Sequence, residues 1–489
     1  MGGKNTTTAR AGSRKGGKKL KVLFTSYECA PFFKRGGLGD VALGLPKALS
    51  DLGHQPRVII PLYPDINRRK WKIKLWRKNI PVRFGKKKEK VNIYRTNLPL
   101  NRGIALFISH PKFNTKNVFD KKSFERYVFY SKCVLDFIRH EGWKPDVLHA
   151  NDWHTGAQII YLNKLKKEDP WYEGIGMLYT IHNLAYQGWG KPNYEKWGLE
   201  PSDFQNKKQI NLMSEGILGT DIINTVSGTY AKEILTKAYG NGLENFLKKR
   251  KKDLYGIVNG VDEEYFNPET DKELPRRYSV KNFNKKYDNK KALQKKLKLP
   301  VADVPLISMI SRLAHQKGFN LVMDIMPGLL KNNDFQLVVM GTGDKKIMDA
   351  LHALEKEYPK KVRALTFFGS PALAKFIYAG SDMFLMPSRF EPCGLGQLIS
   401  MRYGTVPVVR KTGGLKDTVQ NVSGSSNVKG TGFQFEKFNA REFKTALVRA
   451  LKLYDKKAAW KKVAKNGMRV DSTWKNAAKK YINLYKKII

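Results

Sequence analysis

The sequence predicts an α/β protein made of two doubly wound halves facing each other across a cleft. Three observations predict it. Short apolar stretches alternate with helical patterns, the signature of a parallel sheet covered by helices on both faces. The alternation runs through "KVLFTSY", "RVIIPLY", "ALFIS", "DVLHAND", "GMLYTIHN", "DIINTVS" and "LYGIVNGVD", and then again through "PLISMISR", "FQLVVMGTGD", "ALTFFGS", "MFLMPS" and "VPVVRKTGG". The length of 489 residues also exceeds what one hydrophobic core ordinarily organises, so two or three domains are expected.

Residues 1–20, "MGGKNTTTARAGSRKGGKKL", contain neither an acid nor an apolar core. They read as a basic disordered tail and not as a secretory signal. Arg, Ser and Thr without acids also describe transit peptides, so the expected location is cytoplasmic, or a plastid if the chain is eukaryotic. After the first strand comes "KRGGLGDVALGLPKAL", in which Gly37, Gly39 and Ala42 have the G-x-G-x-x-A spacing of a dinucleotide cradle. Val41, Leu45, Leu49 and Leu52 give the following helix one apolar face. A nicotinamide cofactor fits poorly. Its ribose needs an acid at the end of the second strand, where "RVII" runs into Pro61 and the first acid is Asp65. No G-x-x-x-x-G-K-[ST] string appears either, so the turn reads as one wall of a different phosphate-bearing cleft.

The first domain is expected over 21–258. The pattern breaks at "VNGVDEEYFNPETDKE", and the second domain is expected over 259–470. Ligands of such sheets bind outside the carboxyl ends of the strands. The chemistry-bearing strings stand there in both halves: "KRGG", "NDWHTG", "HNLAYQG", "RLAHQKG", "SRFEPCGLGQL" and "KTGGLKDT".

Composition narrows the class. Hydrophobic residues make up 41% of the chain, yet no apolar run is long enough to span a membrane. Cys29, Cys133 and Cys393 are scattered, which supports neither a disulfide framework nor a zinc cluster. The 90 lysines and arginines against 43 acids leave a net charge of +47. Runs such as "GKKKEK", "FLKKRKKD" and "YDKKAAWKKVAK" suit solvated helix faces and loops, with non-specific polyanion contact as the other reading. No nucleic-acid-binding signature accompanies them.

The strings "KRGGLGDV", "NDWHTG", "YTIHNLAYQG", "NTVSGTYAKEI", "GIVNGVD", "ISRLAHQKG", "SRFEPCGLGQL" and "YGTVPVVRKTGGLKDTV" stand in the order and spacing of bacterial-type glycogen synthases and plant starch synthases. From Lys21 to Tyr485 the chain resembles that family. The resemblance implies the GT-B architecture of two Rossmann-like domains, an acceptor-side one first and a nucleotide-sugar-binding one second. It also implies transfer of glucose from ADP-glucose to the non-reducing end of an α-1,4-glucan with retained configuration. "DSTWKNAAKKYINLY" is similar to the family's closing helix, so 471–489 are expected to return to the first domain.

The resemblance also implies roles. Lys34 would lie against the donor, Gly36 and Gly37 would present backbone N–H groups, and Asp40 would orient sugar hydroxyls. Arg312 and Lys317 would neutralise the departing diphosphate, and Thr412, Gly413 and Gly414 would add donors to the same phosphates. Preorganised cations aimed at developing negative charge act strongly in a closed cleft. His154 would contact the donor glucose. Glu391 would hold sugar hydroxyls and tolerate the positive charge of an oxocarbenium-like transition state. No second carboxylate stands out, so a covalent glycosyl-Glu391 intermediate is not implied. The reaction would run on one face, the leaving phosphate helping to deprotonate the acceptor. Cys393, Gly394 and Leu395 would lie near the donor, Cys393 chiefly as packing, and Asn183 and Tyr186 would line the acceptor side. No metal or other cofactor is expected.

Four positions depart from the family pattern: Gly228 in place of Pro, Ser214 in place of Lys, and Gly369 and Ser370 where an aromatic and a polar residue commonly flank the nucleotide base. The last pair, Gly369 and Ser370, touches base recognition. The competing readings are a catalytically silent glucan-binding protein, which should lack Lys34, Arg312, Lys317 or Glu391, and a related transferase using UDP-glucose or another acceptor.

Overall fold

A computed structural model describes residues 18–205, 210–367, 369–424 and 428–489. The tail reading for 1–20 therefore lies almost wholly outside the described residues. The strands of the first half are β1 (Lys21–Thr25), β2 (Gln55–Pro61), β3 (Lys74–Phe84), β4 (Lys87–Asn97), β5 (Ile104–Ser109), β6 (Val147–Asn151) and β7 (Gly176–Ile181). A small ribbon, β8 (Trp189–Gly190) with β9 (Ile210–Asn211), precedes β10 (Ile222–Thr225) and β11 (Leu254–Gly256). Apart from the ribbon they form one sheet in the order β11-β10-β7-β6-β1-β2-β5-β4-β3, parallel except for the antiparallel β3–β4–β5 edge.

The second half holds β12 (Leu306–Ile310), β13 (Gln336–Met340), β14 (Val362–Leu365), β15 (Met383–Met386), β16 (Val406–Arg410) and β17 (Phe433–Phe435). They form an all-parallel sheet in the order β14-β13-β12-β15-β16-β17. Relative to the chain this is 3-2-1-4-5-6, the Rossmann order. The central strands are almost wholly apolar, with Ser308 in β12 and Gln336 in β13 as the exceptions, because helices cover both faces.

Strand order decides where ligands can sit. Each sheet reverses direction once, at β1/β6 in the first half and at β12/β15 in the second, and the loops diverging there leave a crevice. The residues following β1, β6, β12 and β15 line a common cleft between the two halves.

The first core gathers side chains from Leu20 to Ile257 together with Trp474, Tyr481 and Tyr485, while the second runs from Val261 to Met468. The last helix (Trp474–Tyr485) therefore packs on the first half. Tyr485 OH lies 2.8 Å from His149 Nδ1, Asn224 donates to Tyr481 OH at 2.9 Å, and Val261 N–H donates to Ser472 at 2.7 Å where the chain crosses. Trp474 fits against Gly44, where a Cβ would stand 2.0 Å from its Nε1.

Candidate active site

The cleft has a volume of about 790 Å³. Gly36, Gly37, His154, Asn183, Tyr186, Arg312, Lys317, Glu391, Cys393, Gly394 and Leu395 line it, and Lys34, Asp40, Thr412, Gly413 and Gly414 do not.

The first wall is organised by a carboxylate that sequence reasoning missed. Glu28, fully buried after β1, accepts the N–H groups of Gly36 at 2.9 Å and Gly39 at 3.0 Å, and that of Arg35. The glycine turn thus wraps a protein carboxylate, and the expectation that Gly36 offers its amide to a ligand is corrected. Gly37 is not held this way; it faces Leu395 across the cleft. Lys34 spends its ammonium on Asp40, 2.7 Å away on the first turn of the following helix, so each is engaged with the other.

After β6 the chain turns through Asp152 at φ +54°, a left-handed conformation rare for a side-chain-bearing residue. Its buried carboxylate accepts the N–H of His182 at 2.7 Å and that of Asn183 at 3.4 Å, tying the β6 and β7 loops together. Burial raises its pKa to about 7, with the charge of Glu28 adding to the effect. A carboxyl raised on folding stabilises the fold at low pH and loses that contribution as pH climbs from about 4 through about 7. Asp152→Asn is therefore expected to gain melting temperature relative to the parent as pH rises from 5 to 9. A difference that stayed flat with pH would contradict this.

His154 is buried, its ring centroid 4.1 Å from that of Tyr27 and 4.2 Å from that of Trp153. Burial, with the nearby His182, holds its pKa well below the usual histidine value, so the ring is neutral. Neither ring nitrogen has a hydrogen-bond partner. A neutral imidazole offers one donor and one acceptor, suited to a hydroxyl-rich ligand.

The second wall is built by close backbone approach. Gly318 follows Lys317 at φ +76°, and a Cβ there would stand 2.0 Å from the carbonyl oxygen of Pro387. Arg389 N–H donates to Gln316 O at 2.8 Å and Gln316 Nε2 to Phe390 O at 3.1 Å, locking the β12 and β15 loops in register. Lys317 Nζ consequently lies 2.6 Å from Glu391 Oε2, which also accepts from Ser388 Oγ at 3.0 Å. Arg312 extends toward the other half, its Nη1 3.4 Å from Tyr186 OH. Cys393 is buried, which pushes its thiol up to about 12 and leaves it a packing group.

Thr412, Gly413 and Gly414 are placed otherwise than expected. Glu233 of the first half accepts Gly413 N–H at 3.1 Å and Thr412 Oγ1–H at 3.0 Å, while Gly414 N–H donates to Glu391 O and Pro392 O, each at 3.1 Å. With its acceptors supplied by the protein, this turn braces the Glu391 loop instead of presenting free donors. Thr229 donates its amide to Asp417 at 2.9 Å beside this contact, so "NTVSGTYAKEI" and "KTGGLKDTV" clasp each other across the two halves. Gly228 sits by this clasp, where a Cβ would be 3.6 Å from Asp417 Oδ2.

Near the departure at Gly369, Ser370 caps the next helix through Leu373 N–H at 3.2 Å, and Tyr378 is buried beside Phe384. Phe367 is half exposed and Phe368 lies outside the described residues.

Residues 21–249 match the model of the starch synthase catalytic domain, and 289–467 that of glycosyl transferases group 1. The chain is 42% identical over 487 residues to a glycogen synthase of Thermosipho africanus, covering 96% of this chain and 99% of that protein. It is 41% identical to one from Geotalea daltonii, with the same shares covered. The catalytic domain of starch synthase IV from Arabidopsis thaliana, solved bound to ADP and acarbose, superposes with a TM-score of 0.89 at 31% identity, covering 96% of this chain and 99% of that one. A sucrose-phosphate synthase from Thermosynechococcus elongatus shares the fold, with a TM-score of 0.62 at 15% identity. With a close full-length match to these enzymes and the GT-B arrangement of its two halves, the chain belongs to the glycogen synthase and starch synthase family.

Proposed function

We propose that this protein transfers glucose from ADP-glucose to the non-reducing end of an α-1,4-glucan, with retained configuration. The observation that carries the reading is the meeting of the two switch points. Arg312, Lys317 and Glu391 lie on one wall, and the unpartnered ring of His154 on the other. Breaking the glucosyl bond leaves negative charge on a phosphate oxygen. Lys317, partly buried against Glu391, and the exposed Arg312 are the cations positioned to receive it. Glu391 would hold the sugar and face the developing positive charge, and His154 would bond a donor hydroxyl. The acceptor would enter past Asn183 and Tyr186.

The chain's own cations would do the work of a metal at the diphosphate. Among the described residues no group of three or more His, Cys, Asp and Glu is arranged to hold one. No helix among them is long and apolar enough to cross a membrane, and a cytoplasmic enzyme is the proposal. Incubating the protein with ADP-glucose and a maltooligosaccharide, with and without a chelator, is expected to lengthen the chain and release ADP in both cases. Glucan binding without extension would establish the silent-protein reading instead. Loss of activity to the chelator, restored by magnesium or manganese, would overturn metal independence.

The preference for ADP-glucose over UDP-glucose is expected to stay within about a hundredfold in kcat/KM. Gly369 offers no ring to stack on the base, and stacking elsewhere is worth about 1–3 kcal/mol. Competition between the two donors measures it; a much larger ratio would assign base recognition to another residue.

A further inference from the structure

One edge of the first sheet is densely basic. Between Asp65 and Asp120 the chain carries sixteen lysines and arginines and a single acid, Glu89. That acid is already engaged, 2.8 Å from Lys112 and 3.4 Å from His110. The segment supplies the edge strand β3 and its partner β4, which border a groove of about 580 Å³. Lys70, Lys72, Lys74 and Arg95 line it together with Trp71 and Trp76.

The groove cations come from three places: the turn before β3, β3 itself and β4. Two are seated on aromatic rings, Lys70 Nζ 4.7 Å from the centroid of Trp71 and the Arg95 guanidinium 5.2 Å from that of Trp76. Arg77 lies 4.5 Å from the same Trp76 ring, and Arg57 beneath keeps a buried Nη1 with no hydrogen-bond partner. No ion pair joins any of the four groove cations to a carboxylate among the described residues.

Lysine on an edge strand ordinarily prevents sheet-to-sheet pairing. That purpose needs side chains pointing outward along one strand. It does not call for cations from three segments converging on a concavity and stacking on tryptophans there. Unpaired like charges held together repel one another, and a polyanion relieves that repulsion while releasing its own counterions. Because the cations occupy the tryptophan faces, the ligand would be read through its charge and not through stacked bases.

We propose that this groove is a docking site for a linear, phosphate-rich polyanion, recognised by its backbone. The groove shares no lining residue with the interdomain cleft, so the proposal stands apart from the glucan reading.

Fluorescence anisotropy of the full chain, with a labelled 20-nucleotide oligouridylate and with labelled inorganic polyphosphate of matching phosphate count, tests it. The variant Lys70→Ala/Lys72→Ala/Lys74→Ala/Arg95→Ala removes four charges. Lys248→Ala/Lys249→Ala/Lys251→Ala/Lys252→Ala removes four exposed charges elsewhere and serves as the matched control. At about 100 mM salt the groove variant is expected to bind at least about tenfold more weakly, and its slope of log K against log salt to shrink by about 3, from about 0.7 per cation. The control is expected to stay within about twofold. Lys72→Ala/Lys74→Ala changes only exposed side chains and is expected to give an intermediate loss, which covers a failure of the fourfold variant to fold. Retention of one probe over the other identifies the source of the phosphates. Equal losses in groove variant and control, or no binding of either probe to the parent chain, would overturn the proposal.

Discussion

Lys317→Ala is expected to lower turnover at least about a hundredfold, and Glu391→Ala to do the same. On the proposed reading each removes charge from beside the glucosyl bond that breaks, a loss of about 2.7–4 kcal/mol in transition-state stabilisation. Their pairing at 2.6 Å refines the expectation. Deleting one partner leaves the other partly buried and uncompensated, which destabilises the fold as well. Glu391→Gln keeps the shape and an acceptor for Lys317 and Ser388, so it separates chemistry from folding. Steady-state kinetics alongside thermal melting make the check, and a Gln variant with full turnover would remove Glu391 from the chemistry.

Gly318→Ala is expected to cost about a hundredfold in kcat although Gly318 carries no functional group. The residue adopts φ +76°, which costs a side-chain-bearing residue about 1–2 kcal/mol. The added Cβ would also stand 2.0 Å from Pro387 O, a backbone atom that can yield only if the β12 and β15 loops part. Lys317 and Glu391 sit on those two loops, and a displacement of about 1 Å at a reacting centre is worth about 10²-fold. The melting temperature should fall too. Gly328→Ala, inside the helix Phe319–Asn332 with a Cβ that would meet nothing within 4 Å, is the control expected to leave kcat unchanged and to raise the melting temperature slightly. Full activity in Gly318→Ala would show that the loops tolerate separation.

Much of the site was legible because its residues stand at strand ends in short, ordered strings. Arg312, Lys317, Glu391 and His154 could be placed that way, since strand–turn–helix grammar tells which end of a sheet a loop occupies. Glu28 and Asp152 were not legible. One acid among many after a strand says nothing of its burial, and both matter because burial forces their carboxylates onto backbone amides. The cradle spacing of Gly37, Gly39 and Ala42 misled for a related reason. The pattern shows a tight turn rich in amides, and only the fold shows that Glu28 takes those of Arg35, Gly36 and Gly39.

By itself the sequence determined the two doubly wound halves and the set of strings that border the cleft, because hydrophobic periodicity and turn residues act over short stretches of chain. The tertiary structure alone decided which donors and acceptors were already spent. Glu233 and Gly413 are separated by 180 residues and Lys317 and Glu391 by 74, yet each pair shares a hydrogen bond. Whether a polar group faces a ligand or a protein partner depends on atoms that only tertiary packing, within a half or between the two, brings within 3 Å or so, the range where a hydrogen bond exists at all.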